Sequence, residues 1–158
     1  RLGVQAGKPE DLGEFRERIA PGAFRSTLAA NRNIRALYNH NPSDVLGTTQ
    51  ARTLELREDD KGLAFSLELP DTTVGRDVAE LVRRGDVSGC SFGFRVNQGG
   101  DKWEIRSGVS IRTLTDVILA EVTLTADPAY ADTELALRSM GFCDAYRDNR
   151  ALWLETVR

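Results

Sequence analysis

The sequence predicts a mainly β domain with peripheral helices, its antiparallel strands forming a closed or nearly closed barrel. Three features carry that expectation. Apolar and polar residues alternate through 48–57, 62–69 and 88–97, the two-residue period of a half-buried strand. The stretch 116–125 is apolar on both faces, as a strand covered on both sides must be. Helical periodicity is confined to short segments between these runs. A chain of 158 residues suits one core better than two, so a barrel domain is expected over 1–142 and a helical tail over 143–158.

Residues 1–20 are loop-like, broken by Gly3, Gly7, Pro9 and Gly13, with part of an edge strand at 2–5 and apolar anchors at Phe15 and Ile19. Pro21 stands where a first helical position falls, and Phe24 and Leu28 recur at helical spacing, giving a helix over 21–31. A strand over 34–38 runs into Asn39-His40-Asn41-Pro42, where the proline is expected to end regular pairing and leave His40 at a strand end. The alternating runs 48–57 and 62–69, separated by Glu58-Asp59-Asp60-Lys61, form the clearest hairpin.

Asp71 or Thr72 caps a helix whose apolar positions Val74, Val78, Leu81 and Val82 follow a period near 3.6, and Gly85 supplies its stop. Strand alternation returns over 88–97, Gly99-Gly100 turns the chain, 103–106 pairs back, and 110–114 is a weaker strand. The central strand over 116–125 closes at Asp127-Pro128. Asp132 or Thr133 then caps a helix through Leu135, Leu137 and Met140 to Gly141, with a second helical segment from Asp144 onward.

Composition narrows the function. A net charge of −3 and a pI near 5.3 oppose a nucleic-acid footprint, and the pairs Arg16 with Arg18 and Arg83 with Arg84 read as solvated faces. No apolar run approaches the ~20 residues that span a bilayer, so no membrane partner is expected. Cys90 and Cys143 are too few for a disulfide framework and form no CxxC pair, which favours a reducing compartment. Asp59-Asp60 reads as a solvated hairpin tip, and neither a metal nor a cofactor is expected. Trp103, Trp153, Tyr38 and Tyr130 read as packing groups. The chain opens at Arg1 without a signal-like stretch, as a sequence does when an upstream part has been removed.

The chain holds one histidine, His40, upstream of Gly89-Cys90-Ser91-Phe92-Gly93. Serine-type hydrolysis here requires His40 as base and the chain order His, Ser, carboxylate. Alternation places Cys90, Phe92 and Phe94 on one face and Ser91 on the other, between glycines that leave its hydroxyl approachable. The frame matches G-x-S-x-G, but a nucleophile elbow needs a turn into a helix and a later histidine, and both are missing.

Each residue also has an ordinary reading: Ser91 as a strand serine beside a bulge, His40 as a backbone-bonded imidazole at a strand end. Glu121 falls on the face of Val117 and Leu119, where a carboxylate is costly unless paired. Its partner is either an arginine or, as triad acid, His40. Asp44, Asp116 and Asp127 are weaker rivals for that role.

Taken in order, Phe15 through Phe24, Asn39-His40-Asn41 with Gly47, Gly62-Leu63, Ser91-Phe92-Gly93-Phe94, and Glu121-Val122-Thr123-Leu124 with Pro128-Ala129 resemble the prohead (capsid maturation) serine protease family of tailed bacteriophages. The match runs from about Leu12 to Tyr130. The resemblance implies an assemblin-like fold. It also implies a serine endopeptidase that processes capsid precursor and scaffold polypeptides, and itself, inside the immature prohead in the host cytoplasm.

By family motif His40 is carried over as base, Ser91 as nucleophile and Glu121 as third member, the place that herpesvirus assemblin gives to a second histidine. The family usually begins with a Gly-rich alternating strand, which only 2–5 can represent here. Oligomeric state, whether homodimer or higher, is left open. Two rivals stand beside the protease: a non-catalytic capsid-assembly domain on the same fold, and a cysteine hydrolase using Cys90.

Overall fold

A computed structural model of the chain describes residues 10–11, 15–59, 62–127, 136–139 and 152–155. In chain order the elements begin with β1 (Glu10–Asp11), β2 (Arg16–Ile19), α1 (Arg25–Ala29), β3 (Arg35–Tyr38) and β4 (Asn41–Thr48). Then come β5 (Leu54–Asp59), β6 (Gly62–Leu69), α2 (Thr73–Arg84) and β7 (Gly89–Val96). The last are β8 (Asp101–Arg106), β9 (Val109–Leu114), β10 (Val117–Thr125), β11 (Ala136–Ser139) and β12 (Leu152–Glu155). No helix among the described residues is long and apolar enough to cross a membrane.

The strands form three four-stranded sheets, ordered β1-β2-β9-β8, β4-β3-β10-β7 and β11-β12-β6-β5. The mainly β expectation with small helices holds. The antiparallel barrel does not: β2 pairs with β9 and β3 with β10 in parallel, and none of the three sheets closes on itself. Alternation reports that a segment is a strand and which face is buried; direction and partner are set by distant residues. Closure requires the two outermost strands of a sheet to pair, and among the described residues each sheet keeps two edges.

β10 is the central strand the apolar run announced, flanked by β3 and β7. One side of this sheet meets the main core, where Phe24, Ile34, Leu46, Leu67, Val78, Val117, Leu119, Val122 and Leu124 are buried in one cluster. Phe24 stands edge-on to Phe92 with ring centroids 5.5 Å apart. The buried Thr27 hydroxyl donates to the Val117 carbonyl at 2.7 Å and accepts from the Leu119 amide at 3.0 Å, pinning α1 to β10. The helix itself is shorter than expected, because residues 21–24 form turns before it.

α2 is bounded as the sequence predicts: Thr72 accepts from the Gly75 amide at 3.2 Å, and Gly85 ends the helix at φ +85°. Three local expectations change. Pro42 lies inside β4, where an outermost strand tolerates a residue without an N–H. The run 48–57 divides between β4 and β5 with turns between them. Residues 136–139 and 152–155, expected helical, are strands that pair with each other, and 152–155 also pairs with β6. Leu152-Trp153-Leu154 is a short apolar run that fits either period, and the free side of β6 decides for strand there, with 136–139 pairing in turn on 152–155. The strand expected at 2–5, most of the helix over 132–141 and much of the tail lie outside the described residues.

Candidate active site

One extra residue in β10 determines which way Glu121 points. Leu119 pairs with Phe94 and Glu121 with Gly93, so Ala120 has no partner of its own on β7, a bulge in the ladder. The phase of the strand flips there. Val117 and Leu119 before the bulge, and Val122 and Leu124 after it, all face the core, leaving Glu121 and Thr123 on the other side. Glu121 therefore does not share a face with Val117 and Leu119, as period-two counting places it. Across the ladder Gly93 faces Glu121, Ser91 faces Thr123 and Gly89 faces Thr125, so Ser91 and Glu121 lie on one face of the sheet.

His40 reaches that face from a hairpin. Tyr38 pairs with Asn41, leaving Asn39 and His40 as a two-residue link between β3 and β4. Their φ angles are +53° and +56°, as a type I′ turn requires at both central positions. Glycine is the favoured second residue of such a turn, and an L side chain there costs roughly 1–2 kcal/mol.

Two threonines of β10 hold the link in place. The Thr123 hydroxyl accepts the His40 amide at 2.8 Å and donates to the Leu37 carbonyl at 3.1 Å. The Thr125 hydroxyl donates to Asn39 Oδ1 at 2.9 Å, and the Asn39 amide donates to the Leu124 carbonyl at 3.0 Å. Thus anchored, the imidazole extends over β10 and its Nδ1 meets Glu121 Oε1.

The Glu121 side chain is 12% exposed and that of His40 is 48% exposed, so a largely buried carboxylate carries a half-open imidazole. A carboxylate at Nδ1 holds the proton there and leaves Nε2 as the acceptor, the tautomer a general base needs. Among the described residues Glu121 makes no ion pair with an arginine. Nor does His40 meet the rival aspartates. Asp44 accepts from Asn41 Nδ2 at 2.8 Å, Asp116 accepts from the Ser26 hydroxyl and from Asn97 Nδ2 at 2.8 Å, and the Asp127 amide turns back to Thr125 Oγ1 at 3.1 Å.

Ser91 sits on the far side of β10 from the hairpin, opposite the same Thr123 whose hydroxyl holds His40. The residue is 4% exposed, and its hydroxyl makes no hydrogen bond among the described residues. Direct contact thus joins His40 to Glu121, while Ser91 is brought to the same face in register. Catalytic hydrogen bonds commonly tighten only when substrate binds. Cys90, also 4% exposed, points with Phe92 into the core, which disfavours it as a nucleophile.

The parts that Thr123, Thr125 and the Asn39 side chain play in holding the turn escaped the sequence reading. The signal for the turn was present: two strand-like runs joined by two residues, the first an asparagine. Taking Pro42 as the end of pairing concealed it. Compared with known proteins, residues 5–145 match the family model described as Caudovirus prohead serine protease. No curated protein and no solved structure matches the chain.

Proposed function

Because the chain belongs to the Caudovirus prohead serine protease family over residues 5–145, we propose that it is the serine endopeptidase of prohead maturation. Its substrates in this proposal are capsid precursor and scaffold polypeptides and its own chain, cut inside the immature prohead in the host cytoplasm. His40 acts as general base, Ser91 as nucleophile and Glu121 as the carboxylate that orients the imidazole. The observation that carries the assignment is the contact of His40 Nδ1 with Glu121 Oε1, made by residues 81 apart in sequence on the face that also holds Ser91.

In the proposed reaction His40 Nε2 takes the Ser91 hydroxyl proton as Oγ attacks the scissile carbonyl carbon. The imidazolium, stabilised by Glu121, returns that proton to the departing amine. A water deprotonated by the same nitrogen then attacks the acyl carbon, the bond from that carbon to Ser91 Oγ breaks, and Nε2 returns the proton to Oγ while the product leaves as the acid. The geometry supports this division of labour because Glu121 engages Nδ1 and leaves Nε2 to move protons.

Co-expression of the chain with its capsid precursor tests the role. The precursor is expected to shorten with wild type and to stay full length with Ser91→Ala; unchanged size with both counts against maturation. General-base help is worth about 10² to 10⁴-fold, so His40→Ala should slow fluorophosphonate labelling of Ser91 by that order. One observation favours a second reading, a non-catalytic assembly domain on the same fold: Ser91 is 4% exposed. Failure of the probe to modify Ser91 in the folded protein would count against the protease and favour that reading.

A further inference from the structure

We propose that Gly93 is a positioning residue whose missing side chain is the seat of the Glu121 carboxylate; this rests on the triad assignment above. Gly93 is not among the residues with positive φ, so its backbone conformation is open to any L residue. Space, and not backbone freedom, makes it a glycine. A Cβ built on Gly93 would lie 2.7 Å from Glu121 Cγ, 2.9 Å from Oε1 and 3.2 Å from Cδ, and these are its three nearest atoms. Carbon does not tolerate such distances, and Oε1 is the atom that meets His40 Nδ1.

Other crowded glycines differ in kind. At Gly75 and Gly100 the nearest obstacle is a backbone carbonyl, of Pro70 at 2.0 Å and Asp116 at 2.2 Å, and at Gly47 it is the Leu67 side chain at 2.6 Å. Those glycines serve packing. At Gly93 the conflict is with one side chain of the site. The pairing of Gly93 with Glu121 directly after the bulge sets the carboxylate against the glycine. A methyl group at 93 must turn Glu121 aside, and turning it breaks the contact with His40.

The test is a double-mutant cycle in the full chain: wild type, Gly93→Ala, Glu121→Ala and both together. Three readouts apply: the rate of fluorophosphonate labelling at Ser91, the His40 Nδ1–H proton resonance, and thermal unfolding. The resonance needs no assignment, because the chain has one histidine.

Gly93→Ala is expected to slow labelling by about 10²-fold or more, to the level of Glu121→Ala, and to remove the downfield Nδ1–H signal. In the Glu121→Ala background the same substitution should change neither labelling nor stability, because the methyl then fills space the carboxylate has left. Wild-type labelling and an intact resonance in Gly93→Ala overturn the proposal. So does an equal loss in both backgrounds, or a double variant that fails to fold, since either means that the glycine serves something other than Glu121. If Glu121→Ala labels as fast as wild type, the triad assignment fails, and the resonance in Gly93→Ala still decides whether the glycine seats the carboxylate.

Discussion

His40 occupies a backbone conformation better suited to glycine, with φ at +56°, and it keeps that conformation because Thr123 captures its amide. Strain retained where a glycine would relieve it points to a side chain the site needs. The cost is measurable by comparing two variants that both lack the imidazole. His40→Gly should be more stable than His40→Ala by about 1 kcal/mol in urea unfolding, since both lose the imidazole and only alanine keeps the strain. Equal stabilities would remove the strain from the account.

At this scale the sequence was more informative about candidates than about direction. A single histidine left His40 as the one candidate for a histidine base, and alternation separated Ser91 from Cys90, which the fold places in the core. Glu121 was assigned to the wrong face, because a bulge adds one residue without any change in residue type that period-two counting can register.

Among the elements, β10 does the most to build the site. Its inward residues Val117, Leu119, Val122 and Leu124 anchor the core, while Glu121, Thr123 and Thr125 on the other side hold the His40 turn. Thr123→Val keeps the shape but removes the acceptor of the His40 amide and the donor to the Leu37 carbonyl, both in a fully buried place. It should cost about 1–3 kcal/mol and slow Ser91 labelling, with Thr123→Ser restoring most of both. A valine variant as stable and as reactive as wild type would show that the turn stands without that hydroxyl. α2 was legible almost to the residue because its signals, Thr72 and Gly85, are local. β11 and β12 were not, because a short apolar run becomes a strand only when a partner such as β6 offers its edge.

Across the whole molecule, early and late segments are interleaved. β3 pairs in parallel with β10 and β2 with β9, so two of the three sheets combine strands from both ends of the described chain. A chain divided between residues 60 and 61 should give two pieces that lack cooperative thermal unfolding separately and regain it when mixed. A cooperative transition in the 61–158 piece alone would contradict this view of the fold. Such pairings lie beyond a residue-by-residue reading, which is why strands were foreseen and their closure into a barrel was not.

The same interleaving sets a clock. The ribosome makes His40 long before the strand that holds its turn and supplies Glu121, and 81 residues separate the pair. At about 5–20 residues per second that interval is roughly 4–16 s of synthesis. Throughout it the nascent chain carries the histidine without its carboxylate. If the triad assignment holds, a chain assembled in this order stays silent while it is being born, because the pair of His40 and Glu121 cannot form before the last strand of the site emerges.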